Sequence, residues 1–379
     1  MSGADTPAPL RPSILPWQSS PLPVQALAVP WRQRWGIALE RAWRWEFWPS
    51  WLYYLPIVLW IVWLGLKHRS PMAFTASNPA LEASGMVGER KHLALAPLQA
   101  NAPDLVATFV LVDGTTPESR LAQAQIFTAR HGLPVVLKPN IGQRGRGVFI
   151  ARSDAEVRDY LTRFSGDVIA QRYVAGEEFG VYVARKPGEK NATILSIVHK
   201  TFPQVVADGR RNLRELILGD ARAQLVSSLL FARWANELAQ VPPRGEVIQL
   251  VEIGAHCRGS LFLDAGHLAS PALVDTLTRL LDAVPGYAFG RMDLRVPSVS
   301  DFQNGVGLQV LELNGVSAES AHIYHPGTPL LDGYRAMFKQ WSLAFEIGAA
   351  YAKQGVPTTS ALSLLRSFQE DQRRSEVWF

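Results

Sequence analysis

Two stretches of the sequence, GRMDLR at residues 290–295 and GLQVLELNGV at residues 307–316, alternate polar and apolar side chains as β-strands do. Residues two apart on a strand share a face, so adjacent strands would bring together Arg291, Asp293, Glu312 and Asn314. Carboxylate and amide oxygens without histidine or thiol suit Mg²⁺, which also binds substrate phosphates. The alternative is solvent-facing positions on amphipathic strands. Glu312 and Asn314 stand in an apolar run, however, where an unpartnered acid would be costly.

The sequence around these stretches alternates predicted strands with predicted helices from about residue 105 onward. The predicted strands are 105–112, 133–138, 147–151, 168–174, 179–185, 192–199, 246–253, 287–295 and 307–314. The predicted helices run from Pro117 to near Gly132, from Ser153 onward, over about 220–240 and over 329–352. This order predicts an α/β (α+β) architecture.

A glycine-rich stretch, KPNIGQRGRG at residues 138–147, follows one of the predicted strands. Lys138 ends the strand, and Gly142, Gly145 and Gly147 would let backbone N–H groups approach a polyphosphate. The stretch lacks the Gly-Lys-Ser/Thr ending of a P-loop, and a simple glycine-rich hairpin is the alternative. If Lys138 serves phosphates, we expect it to have no partner of its own in the free protein.

A second stretch, QRYVAGEE at residues 171–178, joins two predicted strands. A short hinge of this kind can hydrogen-bond an adenine edge through its backbone, and a carboxylate a few residues later can accept from ribose hydroxyls. The alternative is a β-turn at Ala175-Gly176 with two solvated acids.

Taken in order, and with the loop VADGRRNLRELI at residues 206–217, these motifs resemble the ATP-grasp superfamily. The likeness is to its carboxylate–amine ligases, such as D-alanine–D-alanine ligase and the ligase core of cyanophycin synthetase. The resemblance implies two α+β subdomains that clamp ATP, with Mg²⁺ (two ions, Mn²⁺ able to substitute). The subdomains would be residues 132–200 and 201–355, after a short α/β subdomain at 70–131 and before a C-terminal tail at 356–379.

The resemblance also assigns roles to individual residues. Asp293, Glu312 and Asn314 would be the metal ligands, and Arg291 the catalytic group that stabilises the transferred phosphoryl. ATP would be bound by Lys91, Lys138, Gly142, Arg144, Gly145, Gly147, Gln171, Tyr173, Val174 and Glu178, with Glu178 on the ribose. His256, Arg258 and His322 are candidate substrate contacts.

The N-terminal segment differs in composition from the rest of the chain. Residues 1–69 carry seven Lys/Arg against three acids, the other 310 residues are nearly balanced at 31 against 30, and nine of the twelve tryptophans precede residue 64. A nucleic-acid-binding body is therefore not expected, and the single cysteine excludes a disulfide framework. Residues 1–30, rich in Pro and Ala, are predicted to be a disordered tail.

Residues 31–69 are predicted to form a membrane anchor. Trp31, Trp35, Leu39 and Trp43 recur every four residues, as in a helix lying among lipid headgroups or in an ordinary surface helix. Residues 47–66 contain no charged side chain and would span about 30 Å as a helix. Pro56 interrupts them and both flanks are basic, so a span, a re-entrant segment and an in-plane anchor remain open.

The predicted activity is therefore a membrane-associated, ADP-forming ligase that joins a carboxylate to an amine through an acyl phosphate. Its substrates would be small-molecule or lipid-linked, and its location the bacterial inner membrane with the catalytic body on the cytoplasmic side. A kinase of the same fold and a non-catalytic, membrane-tethered nucleotide-binding protein are the alternatives. Deleting residues 1–69 is expected to release a soluble body that keeps its nucleotide site.

Overall fold

A computed structural model describes residues 29–143, 145–256 and 259–375, with Arg32, Arg374 and Ser375 described by their backbone alone. The predicted tail at 1–30 therefore lies almost wholly outside the described residues. The chain divides into two compact units. The smaller unit combines the described residues up to Leu52 with Thr201–Leu261, and the larger combines Tyr53–Lys200 with the described residues from Phe262 onward.

The helices are α1 (Trp31–Trp43), α2 (Ser50–Lys67), α3 (Lys91–Asn101), α4 (Pro117–His131), α5 (Asp154–Arg163), α6 (Leu213–Gly219), α7 (Ser227–Arg233), α8 (Pro271–Ala283), α9 (Val299–Gln303), α10 (Leu330–Lys353) and α11 (Ala361–Ser375). The strands are β1 (Phe109–Val112), β2 (Val135–Pro139), β3 (Phe149–Ala151), β4 (Val168–Arg172), β5 (Glu177–Ala184), β6 (Thr193–Thr201), β7 (Gln204–Val206), β8 (Val247–Gln249), β9 (Leu261–Asp264), β10 (Phe289–Val296) and β11 (Gln309–Asn314).

Two sheets build the larger unit. One has the strand order β1-β4-β2-β3 and the other β11-β10-β5-β6-β9. The pairs β1–β4, β4–β2, β2–β3, β11–β10, β10–β5 and β5–β6 are antiparallel. Apolar side chains from β5, β6, β10 and β11 share one core with α3 and α8, where Phe179 stacks on Phe302 at 3.9 Å. The mixed α/β class predicted from the sequence is confirmed.

Local sequence signals place most of these elements. Helix α4 starts at Pro117 behind the N-cap Thr116, which accepts from Ser119 N, and stops before Gly132 in a positive-φ conformation. The helix predicted over 220–240 is shorter, because α7 ends before Trp234. The Trp234 indole is fully buried and donates to Leu250 O at 3.1 Å, so tertiary packing decides where this helix ends.

From Tyr53 onward α2 belongs to the larger unit, where one of its sides packs on α10, and the helix continues through Pro56. Tyr53 stacks on Tyr334 with ring centres 5.4 Å apart, and Trp60 stacks on Phe338 at 5.0 Å. Among the residues placed in the structure, α2 is the one helix whose length and apolar composition would allow it to cross a membrane. The predicted C-terminal tail at 356–379 includes the helix α11.

Candidate active site

Strands β5, β10 and β11 lie side by side and hold the residues that the sequence analysis singled out. Asp293 is in register with Glu312 across β10 and β11, and Arg291 with Asn314. On the other side of β10, Gly180 of β5 lies opposite Asp293. A Cβ at Gly180 would come within 3.1 Å of Asp293 Oδ1 and 2.9 Å of Val198 Cγ1, so a glycine here leaves room for both side chains. The predicted adjacency of the two polar strands is thus observed.

Asp293 is buried and contacts two cations. Lys200 Nζ lies 2.9 Å from Asp293 Oδ1, and Arg291 donates to both carboxylate oxygens at 3.0 and 3.2 Å. The amide of Asn314 is 3.4 Å from Asp293 Oδ2. Burial would raise the pKa of Asp293, but Arg291 and Lys200 outweigh it and hold the pKa below its usual value. The carboxylate is therefore ionised at neutral pH.

Glu312 meets a lysine from outside the two strands. Lys91, at the start of α3, lies 2.8 Å from Glu312 Oε1 and donates to Gly142 O at 2.6 Å. Lys91 thus connects β11 to the glycine-rich loop. Nearby, Glu89 Oε1 is buried and has no hydrogen-bond partner within the described ranges. Burial raises the pKa of Glu89 to about 8, with a further contribution from the negative charge of Glu312.

Lys138 is buried and does have partners, contrary to the expectation from the sequence. Its ammonium donates to Gln171 Oε1 and to Leu311 O, each at 2.8 Å. These acceptors are neutral, because Lys138 at the end of β2 faces the amide of a β4 residue and the backbone of β11. Burial lowers the pKa of Lys138 to about 8, since neutral acceptors replace little of the lost hydration. Among the described residues, the ammonium is held in place by these two neutral acceptors.

The candidate adenine hinge and ribose carboxylate form a second network of charges. Glu178 is buried, with Lys200 3.2 Å from one oxygen and Arg295 Nε 3.0 Å from the other. Arg295 also donates to Val174 O at 2.8 Å and lies over the Tyr173 ring at 5.4 Å. In the free protein, both oxygens of Glu178 and the carbonyl of Val174 are therefore engaged by cations.

The glycine-rich loop has the backbone that its sequence predicts. Gly145 and Gly147 have φ values of 67° and 71°, which residues with a Cβ rarely adopt. The Tyr160 hydroxyl donates to Gly147 O at 2.7 Å and fixes the end of the loop. Arg144, the other candidate phosphate contact here, lies outside the described residues.

The three candidate substrate contacts are found in different surroundings. His322 follows β11, and burial lowers its pKa; its Nδ1 is buried and has no hydrogen-bond partner in the described part of the chain. His256 belongs to the smaller unit, where its Nε2 lies 3.1 Å from Glu46 and 3.3 Å from Arg222. Arg258 lies outside the described residues.

Sequence reasoning did not assign a role to Lys200 or Arg295. Both cations contact Glu178, and Lys200 also contacts Asp293. The signal for Lys200 was weak: it is a single cation just beyond the predicted strand 192–199. No cluster of three or more His, Cys, Asp or Glu side chains that would hold a metal is found within residues 29–143, 145–256 and 259–375. The candidate metal ligands are instead two carboxylates and one amide.

Comparison with known proteins adds a sequence relationship to this geometry. No model of a known protein family matches the chain. Two cyanophycin synthetases are similar to it, from Trichormus variabilis at 21% identity and from a Nostoc species at 22%. Each match covers 212 residues, 51% of this chain and 23% of the relative, so the chain spans about a quarter of the length of these relatives. These matches confirm the resemblance to cyanophycin synthetase that the motifs indicated.

Two of the solved structures that align with the chain are a ligase and a synthetase by name. The D-alanine–D-alanine ligase of Bacillus anthracis aligns with a TM-score of 0.40 at 13% identity, covering 73% of this chain and 72% of that chain. A bifunctional glutathione synthetase from Pasteurella multocida aligns with a TM-score of 0.35 at 17% identity, covering 66% and 36%.

Proposed function

We propose that the protein is an ATP-dependent ligase that joins a carboxylate to an amine, or to a similar nucleophile, through an acyl phosphate. The observation that best supports this is the charge of the buried network around β5 and β10. Five cations, Lys91, Lys138, Lys200, Arg291 and Arg295, lie around the three carboxylates Glu178, Asp293 and Glu312. The buried carboxyl of Glu89 nearby, whose pKa is raised to about 8, is largely uncharged at neutral pH. A buried positive excess needs an anion, and a polyphosphate supplies one.

The same residues fit Mg²⁺ together with ATP. Asp293, Glu312 and the amide oxygen of Asn314 are hard ligands of the kind that Mg²⁺ takes beside substrate phosphates. Bound Mg²⁺ would neutralise phosphate charge and orient the phosphoryl group for transfer. Asp293 and Glu312 each contact a cation, so exchanging these contacts for metal and phosphate contacts would leave both carboxylates paired.

In the proposed reaction, a carboxylate oxygen of the substrate attacks the γ-phosphorus of ATP and ADP leaves. The nucleophile then attacks the acyl carbon, phosphate leaves, and an attacking amine loses one proton as the amide forms. Arg291 would spread the negative charge that develops on the transferred group, and Lys91 and Lys138 would bind phosphate oxygens. Gly142, Gly145 and Gly147 would cover the phosphates, with Arg144 beside them.

The nucleoside end of the site is proposed at the hinge after β4. Gln171, Tyr173 and Val174 would contact the adenine, and Glu178 the ribose. Because Glu178 is bound by Lys200 and Arg295 in the free protein, its contacts favour an additional role in positioning these two cations. His322, His256 and Arg258 would contact the carboxylate or amine substrate.

The proposed substrate is lipid-linked or presented at a membrane, and the proposed location is the bacterial inner membrane with the catalytic body in the cytoplasm, where ATP is present. Two features support membrane attachment. The stripe on α1 remains exposed, with Trp35 74% and Trp43 89% accessible, and α2 carries a further exposed apolar face. An ordinary surface helix would pack its stripe on a core.

The proposal is tested with the purified full chain. Mg-ATP is expected to raise the unfolding temperature, and ADP and free phosphate are expected to form only when carboxylate and amine candidates are both present. Mass spectrometry then identifies the amide. A phosphorylated product that accumulates without free phosphate would identify a kinase instead, and binding of Mg-ATP without turnover would indicate a nucleotide-binding protein.

A further inference from the structure

One face of α2 is apolar and uncovered. Leu55, Val58, Leu59, Val62, Trp63 and Leu66 are all exposed. At 100° per residue they fall within an arc of about 140° on the helix. No charged side chain interrupts this arc.

The opposite face of α2 packs against the rest of the larger unit. Ile57 and Leu64 are fully buried. Trp60, besides stacking on Phe338, donates its indole N–H to Ser342 Oγ at 3.2 Å. The Tyr54 hydroxyl donates to the carboxylate of Glu319. The helix therefore has one protein-facing side and one free side.

A transmembrane position would conflict with these contacts. If α2 crossed the bilayer and kept its packing, α10 would enter the hydrocarbon beside it. Helix α10 carries Asp332, Arg335, Lys339, Glu346 and Lys353. Several of these charged side chains would then lie within the hydrocarbon, where each is strongly unfavourable. A helix that is half buried in protein is suited to lie along a surface.

We infer that α2 lies in the plane of the membrane, with its exposed arc among the lipid chains and its other face on the larger unit. This inference rests on the proposed membrane attachment and specifies its geometry. The bound surface is an anionic leaflet, because residues 47–81 contain Lys67 and Arg69 and no acidic residue. Lys67 Nζ lies over the Trp63 ring at 5.2 Å, a pairing that suits the headgroup boundary.

A second copy of the chain fits this face less well. The helix is about 27 Å long and its exposed arc is about 17 Å around, which gives about 460 Å² of accessible surface, whereas stable interfaces bury about 800 Å² per partner. An arc of about 140° is also wider than the narrow seam through which two helices pair. A lipid surface covers the whole arc without these limits.

The first experiment measures binding of the full chain to vesicles of phosphatidylethanolamine and phosphatidylglycerol by flotation. The double variant Leu59→Glu/Val62→Glu is expected to bind these vesicles at least about tenfold more weakly than wild type, because it places two charges in the lipid-facing arc. Ile126→Glu and Val306→Glu, which alter exposed apolar residues elsewhere in the larger unit, are expected to bind as wild type. Wild-type circular dichroism and unfolding temperatures in all variants establish that they are folded.

The second experiment distinguishes an in-plane position of α2 from a transmembrane one. The full chain carrying Ser50→Cys and Ser70→Cys is reconstituted in sealed vesicles and treated outside with a membrane-impermeant maleimide, with wild type giving the background from Cys257. An in-plane helix yields molecules with two added labels or none. One added label in every molecule would overturn the inference and leave membrane attachment standing.

Two other results would also overturn the inference. If wild type binds no vesicles, membrane attachment fails with it, while the Mg-ATP shift reports separately on the proposed ligase. If wild type self-associates and the α2 double variant does not, the arc is an interface between copies.

Discussion

Glu312 is the residue on which the candidate metal site depends most. Its carboxylate lies opposite Asp293 and contacts Lys91 at 2.8 Å. Glu312→Gln preserves the volume but removes the charge, so we expect ADP formation to fall about 100-fold or more. Glu346→Gln, an acid-to-amide change in an exposed ion pair on α10, is the matched control. Wild-type turnover by the Glu312 variant would discard the metal assignment.

Lys138 gives a prediction about pH. Its pKa of about 8 in the folded protein is below the ordinary 10.5, so the unfolded chain binds more protons between these values. Stability should therefore rise as the pH increases from 8 to 10, by up to about 3 kcal/mol for this group. Lys138→Met should abolish that rise and reduce the Mg-ATP shift, whereas Lys339→Met, at an exposed position, should change neither. A full Mg-ATP shift in Lys138→Met would exclude it as a phosphate contact.

Glu46 in the smaller unit titrates in the opposite sense. Burial would raise its pKa, but hydrogen bonds from His256 and Arg222 outweigh burial and hold the pKa at about 2, below the ordinary 4.5. Its stabilisation, about 3 kcal/mol, is present above pH 4.5 and is lost as the pH falls towards 2. Thermal unfolding of Glu46→Gln should show a weaker dependence over this range than wild type. Glu40→Gln, in an exposed ion pair, should retain the wild-type dependence.

At the scale of elements, the sequence predicts what alternation and capping encode. The polar positions of β10 and β11 follow from their period of two, and α4 follows from Thr116, Pro117 and Gly132. The contacts of Lys200 were not predictable in this way. They exist because β6 pairs with β5, which brings Lys200 to Glu178. The sequence pattern of a single strand does not predict which strand it pairs with.

Helix α2 also reaches the candidate site through one hydrogen-bonded segment. The hydroxyls of Tyr54 and Tyr324 donate to the Glu319 carboxylate, and Arg291 donates to Glu319 O at 3.3 Å. Tyr54→Phe removes one donor, so Arg291 should be held less firmly and kcat should fall by up to about tenfold. The KM for ATP should be unchanged, since the proposed ATP contacts of Lys91 and Lys138 are retained. A proportional rise in that KM would show a general loss of structure instead.

At the scale of the whole molecule, the N-terminal segment is less separable than its composition indicates. A run of tryptophans followed by 20 uncharged residues is typical of an appended anchor. In the structure, Tyr53, Ile57 and Leu64 are buried in the larger unit, and Glu46 is paired with Arg222 and His256 in the smaller one. Hydropathy records which residues are apolar, but it does not distinguish those that face lipid from those that face protein.

This integration changes the expected result of deleting residues 1–69. Burial of Ile57 and Leu64 alone contributes about 1.5–3 kcal/mol each, against a total stability of about 5–15 kcal/mol for a typical domain. The deletion also uncovers Tyr334 and Phe338 on α10 and removes one of the two hydroxyl donors to Glu319. We therefore expect the truncated chain to be insoluble or to unfold at a markedly lower temperature.

The full-length Leu59→Glu/Val62→Glu variant is the control for this deletion, since it changes only the exposed arc and should remain folded and bind Mg-ATP. Soluble yield and unfolding temperature, each measured with and without Mg-ATP, distinguish the two proteins. A soluble truncated chain with the wild-type Mg-ATP shift would show that α2 is dispensable to the larger unit. In that case the packing of α2 on α10 would be a contact made by an independent anchor, and the original expectation of a detachable body would hold.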